Sequence, residues 1–179
     1  MPVSTLKLGL WGASISLICS LIIFFLNIQF SSLWWTVAFI RLLLTVLFII
    51  LAVRSAKIYR AEHEGKISFS EAFGTSMSVF IIIVIVNIGF NLLQYNILDK
   101  EYGNKLKEAT IERLEEQLDN PFLDDDLKES LIAAFDQISI EYKVRDAFRT
   151  LGFRVLIFTL VSMIIAATIN KDLGFNTNT

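Results

Sequence analysis

Four long apolar stretches dominate this sequence, at about residues 8–28, 33–54, 72–98 and 150–169. Each holds about 20 or more mostly apolar residues, the length that an α-helix needs to cross a hydrocarbon core of roughly 30 Å. The first stretch is too long for a typical signal-peptide core, so we expect it to be retained as a span. The sequence therefore predicts an all-α fold, a bundle of four transmembrane helices that forms a single integral membrane domain over residues 1–179.

Charge is distributed unevenly along the chain, and this asymmetry predicts an orientation. Residues 99–147 carry 14 of the 18 acidic residues. The connection between the second and third spans is basic, with Arg54, Lys57, Arg60 and Lys66. Because basic residues near span ends stay in the cytoplasm, we expect both termini and this connection to be cytoplasmic. Residues 99–147 are then extracytoplasmic.

The first span has a face of small residues at helical spacing: Gly9, Gly12, Ala13, Ser16 and Ser20. Small residues let helices approach closely in lipid, where packing and not hydrophobicity drives association. We favour a seam inside the bundle as the use of this face, and an interface between two copies of the chain is the alternative.

The third span has a recognisable start signal. Ser68 can cap the helix while Glu71, three residues later, reaches back to the Ser68 amide, which is the arrangement called a capping box. Gly65 supplies a turn just before it. The pattern predicts that the third helix begins near residue 69.

The acidic segment between the third and fourth spans shows helical and not disordered patterning. Ile111, Leu114 and Leu118 form one apolar stripe, and a second stripe runs from Leu127 to Tyr142. Asn120 and Pro121 separate the two stripes, and the aspartates that follow suit a helix N-terminus. The segment over residues 99–147 is therefore predicted to be an acidic amphipathic helical hairpin.

The order of these features resembles the bacterial domain of unknown function 4199 family, of the type found in Bacteroidota. The shared features are four spans, a basic loop leading into GKISFSEAF at residues 65–73, a third span ending in NILDKEY and an amphipathic outer segment. Lys100 follows Asp99 where the family commonly has Asp-Pro. The resemblance implies this architecture and an inner-membrane location, and it implies no catalytic residue.

Three carboxamides, Asn87, Asn91 and Gln94, share one face of the third span. Arg41 lies well inside the second span and is expected to point into the bundle, where carboxamide oxygens could accept from its guanidinium. Two further arginines lie at the start of the fourth span, Arg149 and Arg154.

These six residues allow two interpretations. In one, the arginines and amides together bind an anionic lipid phosphate. In the other, which we favour, the arginines reach the membrane interface and the amides join neighbouring helices.

The sequence contains no motif of a known enzyme class, so we expect a protein that is not an enzyme and has no cofactor and no metal site. The acidic segment would repel nucleic acid. The leading hypothesis is a non-catalytic accessory or scaffold protein of the cell envelope, in contact with membrane lipids and with a protein partner or a second copy of itself. A lipid-binding or lipid-handling protein is the alternative, and a dimeric transporter ranks last.

Overall fold

A computed structural model describes residues 2–28, 34–118, 133 and 144–171 of this protein. The described residues form five α-helices: α1 Val3–Phe25, α2 Trp34–Glu62, α3 Phe69–Leu93, α4 Tyr102–Leu118 and α5 Val144–Lys171. A π-helical turn, Gln94–Leu98, extends α3 at its C-terminal end. The described part of the chain contains no β-strand, in agreement with the predicted all-α class.

Among the described residues, four helical segments are long and apolar enough to cross a membrane: Val3–Phe25, Trp35–Glu62, Phe69–Leu98 and Ala147–Asn170. Their outward faces carry large exposed apolar side chains, among them Trp11, Phe39, Leu42, Phe153 and Ile164. A surface of this kind suits contact with lipid hydrocarbon. The protein is thus a multi-pass membrane protein with four spanning helices, as predicted.

The helix that contains the second span continues beyond the apolar stretch. The stretch ends near residue 54, whereas α2 ends at Glu62. The added turns remain packed, since Ser55 and Ala56 have no exposed surface. Three of the four basic residues assigned to the connecting loop therefore lie on the helix: Arg54, Lys57 and Arg60. Apolar content marks where a helix leaves the hydrocarbon, and it does not mark where the helix ends.

The connection between α2 and α3 is a short turn with the predicted cap. Gly65 has φ +79°, a left-handed conformation that favours glycine. The Glu71 amide donates to Ser68 Oγ at 3.2 Å, and the Ser68 amide donates to Glu71 Oε2 at 2.7 Å. The capping box is therefore formed, and α3 begins at Phe69 as expected.

The helix α3 is the centre of the bundle, because α1, α2 and α5 all pack against it. Its side chains Val79, Phe80, Ile83 and Val84 are almost completely buried. The Phe80 ring stacks on Phe158 of α5 with centroids 4.3 Å apart. The helix α1 also packs on α3, and in the described residues no Cα atom of α1 comes within 8 Å of a Cα atom of α5.

Side-chain contacts fix which helix ends lie together. Ser55 near the end of α2 donates to Thr5 near the start of α1 at 2.9 Å. Arg60 donates to the Ile169 carbonyl in the last turn of α5 at 3.3 Å. At the other end, the Phe24 ring of α1 lies 5.8 Å from the Tyr102 ring of α4. Neighbouring spans in sequence therefore run in opposite directions.

The small face of α1 forms a seam inside the bundle, which was the favoured interpretation. Gly9, Gly12, Ala13 and Ser16 are buried, and Ser20 is half-buried. A Cβ on Gly9 would lie 2.6 Å from Cδ1 of Ile82, and one on Gly12 would lie 2.8 Å from Cδ1 of Ile83. A larger side chain at either position would have to displace these isoleucines of α3, and at Gly12 also Leu51 of α2.

A larger residue in this seam should therefore destabilise the bundle. We expect Gly12→Leu to lower the free energy of unfolding by about 1–3 kcal/mol, the usual cost of overpacking a core. Gly89→Leu is the matched control, because a Cβ on Gly89 would meet nothing within 4 Å. Thermal unfolding in detergent compares the two variants, and equal stability would contradict the seam.

Candidate functional site

The carboxamide of Asn87 joins α3 to α1. Its Oδ1 accepts a hydrogen bond of 2.7 Å from Ser16 Oγ, and its Nδ2 donates to the Ile83 carbonyl at 2.8 Å. One side of the amide therefore links two helices and the other bonds its own helix. This is the interhelical role that we favoured from the sequence.

Arg41 is exposed on the surface of α2, and it lies close enough to the buried Tyr102 of α4 to act on that residue electrostatically. The residue follows Trp34 by two helical turns, a rise of about 10 Å from the start of the helix. At that depth the long side chain can extend toward the membrane interface along an apolar surface. The carboxamide of Asn87 has its partners on α1 and α3, so it does not require the guanidinium.

The other members of the predicted polar cluster lie on α3, on the π-helical turn that extends it and on α5. Asn91 is half-buried on α3, one turn beyond Asn87. On α5, Arg149 is exposed and Arg154 is half-buried. Gln94 is 6% exposed at the start of the π-helical turn. Of the six residues, Gln94 and Arg41 both act on Tyr102 at the end of the bundle where α4 begins.

An aromatic joint, defined here as Phe24, Gln94, Tyr95 and Tyr102, connects the bundle to α4. Tyr102 is only 4% exposed although it follows the third span. Its ring lies 4.9 Å from the Tyr95 ring in an edge-to-face arrangement, and its hydroxyl shares a hydrogen bond with the Gln94 side chain. Aromatic pairs of this geometry stabilise a contact beyond the area they bury. The first turn of α4 is thus anchored to the ends of α1 and α3.

The corner between the π-helical turn and α4 has its own polar anchor. Asp99 Oδ1 accepts from the Glu101 amide at 3.0 Å, and Asp99 Oδ2 accepts from Lys105 Nζ at 2.8 Å. The hydrogen bond from Lys105 holds the pKa of the Asp99 carboxyl below its usual value. These bonds give the corner a defined shape, with Lys100 directly after Asp99.

Sequence reasoning missed the aromatic joint, and a signal for it was present. Tyr95 and Tyr102 flank the end of the third span, where aromatic residues are frequent because their rings favour the membrane interface. Periodicity gave the face of α3 but could not identify Phe24 as the contact from α1. The partner of Gln94 was missed for the same reason.

The fold and these contacts define a four-span helical membrane protein with a further helix, α4, anchored at one end of the bundle. In the described ranges, no three His, Cys, Asp or Glu side chains gather into a group that could hold a metal ion. Residues 7–171 match the family described as protein of unknown function DUF4199, and the chain belongs to that family. Comparison with curated proteins and with solved structures gave no match.

The contact between Ser16 and Asn87 should contribute a measurable coupling energy. We expect a double-mutant cycle of Ser16→Ala and Asn87→Leu to give about 0.6 kcal/mol, with about 1.7 kcal/mol as the upper limit for such bonds in membranes. Unfolding of the four proteins in detergent measures this quantity. A coupling of zero would show that the two side chains act independently.

The buried Tyr102 hydroxyl predicts a specific loss of stability at high pH. Burial raises the pKa of Tyr102 above its ordinary value of 10.0. The unfolded protein therefore loses this proton first, so the stabilisation is complete below about pH 10 and is lost as the pH rises through the folded pKa. We expect the melting temperature of the parent to fall more steeply above about pH 10 than that of Tyr102→Phe. Parallel curves would contradict the burial of this hydroxyl.

Proposed function

We propose that this protein is a non-catalytic accessory or scaffold protein of the bacterial inner membrane. In this proposal the four spans form a frame, and the acidic segment that begins with α4 binds a protein partner outside the cytoplasm. The aromatic joint is the observation that carries the proposal. A helix that only connected two spans would not need the buried Tyr102 and the hydrogen-bonded corner at Asp99 to fix its direction.

Contacts inside the frame support a structural role for its polar groups. Buried hydroxyls pair across helices, as Ser55 does with Thr5 and Ser16 does with Asn87. Ser162 of α5 donates to the Met77 sulfur of α3 at 3.7 Å. Groups bonded in this way hold helices together.

The charge of α4 indicates what kind of surface a partner would present. Glu108 and Glu112 are exposed on α4, and residues 99–147 carry 14 of the 18 acidic residues. Opposite charge across an interface speeds association and excludes wrong partners. The proposed partner therefore has a basic surface.

The two ends of the bundle differ in charge in a way that supports the proposed orientation. Lys7, Arg54, Lys57 and Lys66 lie at the end where α1 begins and α2 ends. The acidic α4 begins at the opposite end, beside the Phe24 ring. Under the positive-inside rule the basic end is cytoplasmic, and α4 is then extracytoplasmic.

The alternative functions receive less support from the geometry. A lipid site built from Arg41 and the amides of α3 is disfavoured, because the Asn87 carboxamide already bonds Ser16 and the Ile83 carbonyl. Self-association through the small face of α1 is disfavoured because α3 occupies that face. A dimer or a dimeric transporter would need a different surface.

Site-specific photo-crosslinking in host cells tests the scaffold proposal. A photoreactive amino acid at Glu112 should give an adduct with another protein. The same amino acid at Lys57, which is exposed at the opposite end of the bundle, should not give this adduct. The charge-reversing pair Glu108→Lys and Glu101→Lys should lower the yield at position 112, because the partner surface is basic.

Two results would contradict the proposal. An adduct with twice the mass of this chain would identify a second copy and favour self-association. The absence of any adduct along the exposed face of α4 would remove the basis for a scaffold role.

A further inference from the structure

A groove with a volume of about 430 Å³ lies between the first half of α1 and the last turns of α2. On both helices the residues that line the groove recur at helical spacing. The lining residues are Ser4, Lys7, Leu8, Trp11 and Ile15 from α1, with Leu51, Arg54 and Ile58 from α2. This α1–α2 groove is separate from the amides of α3 and from the aromatic joint.

The polar lining of the α1–α2 groove consists of two cations and one hydroxyl. Lys7 and Arg54 have exposed side chains, and neither forms an ion pair with a carboxylate among the described residues. No acidic residue lines the groove. An arginine and a lysine that face one groove without a carboxylate are suited to an anionic oxygen ligand, and arginine binds phosphate through two parallel hydrogen bonds.

The hydroxyl of Ser4 is an independent observation in favour of a ligand in this groove. Its Oγ is buried and has no hydrogen-bond partner in the described structure. Buried polar atoms are nearly always paired, and an unpaired one therefore requires an explanation. A phosphate oxygen bound between the two cations would supply an acceptor next to this hydroxyl.

The rest of the α1–α2 groove is apolar and runs toward the membrane interior. Trp11 and Ile15 follow Lys7 by one and two helical turns, so they lie roughly 6 and 12 Å deeper along α1. Trp11 is 67% exposed, and tryptophan favours the depth of lipid headgroups. Charge at the rim and an apolar floor below it match the two parts of a phospholipid.

A second cleft, at the opposite end of the bundle, lacks this combination. That cleft has a volume of about 400 Å³ and is lined by Asn27, Lys105, Glu108, Ala109 and Glu112. Its two carboxylates would repel an anion, and Lys105 is already paired with Asp99.

We propose that the α1–α2 groove binds an anionic phospholipid from the leaflet at this end of the bundle. The phosphate lies between Lys7 and Arg54 and accepts from Ser4 Oγ. One acyl chain follows the apolar floor along Trp11 and Ile15. This site does not depend on the scaffold role, since it lies at the end opposite α4.

Native mass spectrometry of the full chain in detergent, titrated with dioleoyl phosphatidylglycerol, tests the proposal. We expect tighter binding of this lipid than of dioleoyl phosphatidylcholine, which carries no net charge. The double variant Lys7→Gln and Arg54→Gln should weaken phosphatidylglycerol binding by about tenfold. The single variant Ser4→Ala should weaken it by a smaller factor.

The matched control removes the same charge from the same end of the bundle. Lys57→Gln with Lys66→Gln alters two exposed lysines that do not line the groove, and binding should be nearly unchanged. The charge-retaining variant Lys7→Arg with Arg54→Lys should keep most of the affinity, which separates loss of charge from loss of folding.

Three outcomes would overturn the proposal. Equal losses in the two double variants would show general attraction of the lipid to a basic surface. Equal binding of the two lipids would remove the role of the negative charge. Displacement of phosphatidylglycerol by millimolar inorganic phosphate would identify a site for the free anion and not for a lipid.

Discussion

The close approach of α1 to α3 at Gly9 and Gly12 is the contact on which the other parts of the structure depend. In hydrocarbon there is little hydrophobic gain in bringing helices together, so packing and interhelical hydrogen bonds must provide the association energy. Glycine places the two backbones close enough for Ser16 to reach Asn87. Because α2 and α5 also pack against α3, the position of α1 on α3 helps to set the geometry of the whole bundle.

The same contact connects the two ends of the molecule. At one end it places Phe24 beside Tyr102, which anchors α4 to the spans. At the other end it holds α1 beside α2, where Thr5 bonds Ser55 and the groove with Lys7 and Arg54 is formed. An anchored acidic helix and a basic groove thus arise at opposite ends of one frame, and each suits a different class of partner.

The sequence predicted those features that local pattern determines. Apolar length gave the four spans, Ser68 and Glu71 gave the start of α3, and small residues at helical spacing gave the seam on α1. The second half of the predicted hairpin, in residues 119–132 and 134–143, lies outside the described residues.

The contacts between different helices could not be predicted from the sequence, because they depend on which helices are neighbours. The face that carries Asn87 was clear, but its partner Ser16 lies 71 positions away. The position of Arg41 within the second span was clear, but only the fold places it near Tyr102 of α4. The aromatic joint and the α1–α2 groove each combine residues from separate helices, so no local pattern reveals them.

The most direct test of the central contact is a cross-link between α1 and α3. Ser16→Cys and Asn87→Cys, introduced together in a Cys19→Ser background, place two thiols where the hydrogen bond now lies. We expect a short bifunctional thiol reagent to join them within one chain, with the product migrating as a monomer. Products joined between chains, or two thiols that remain separately modifiable, would contradict the packing of α1 on α3.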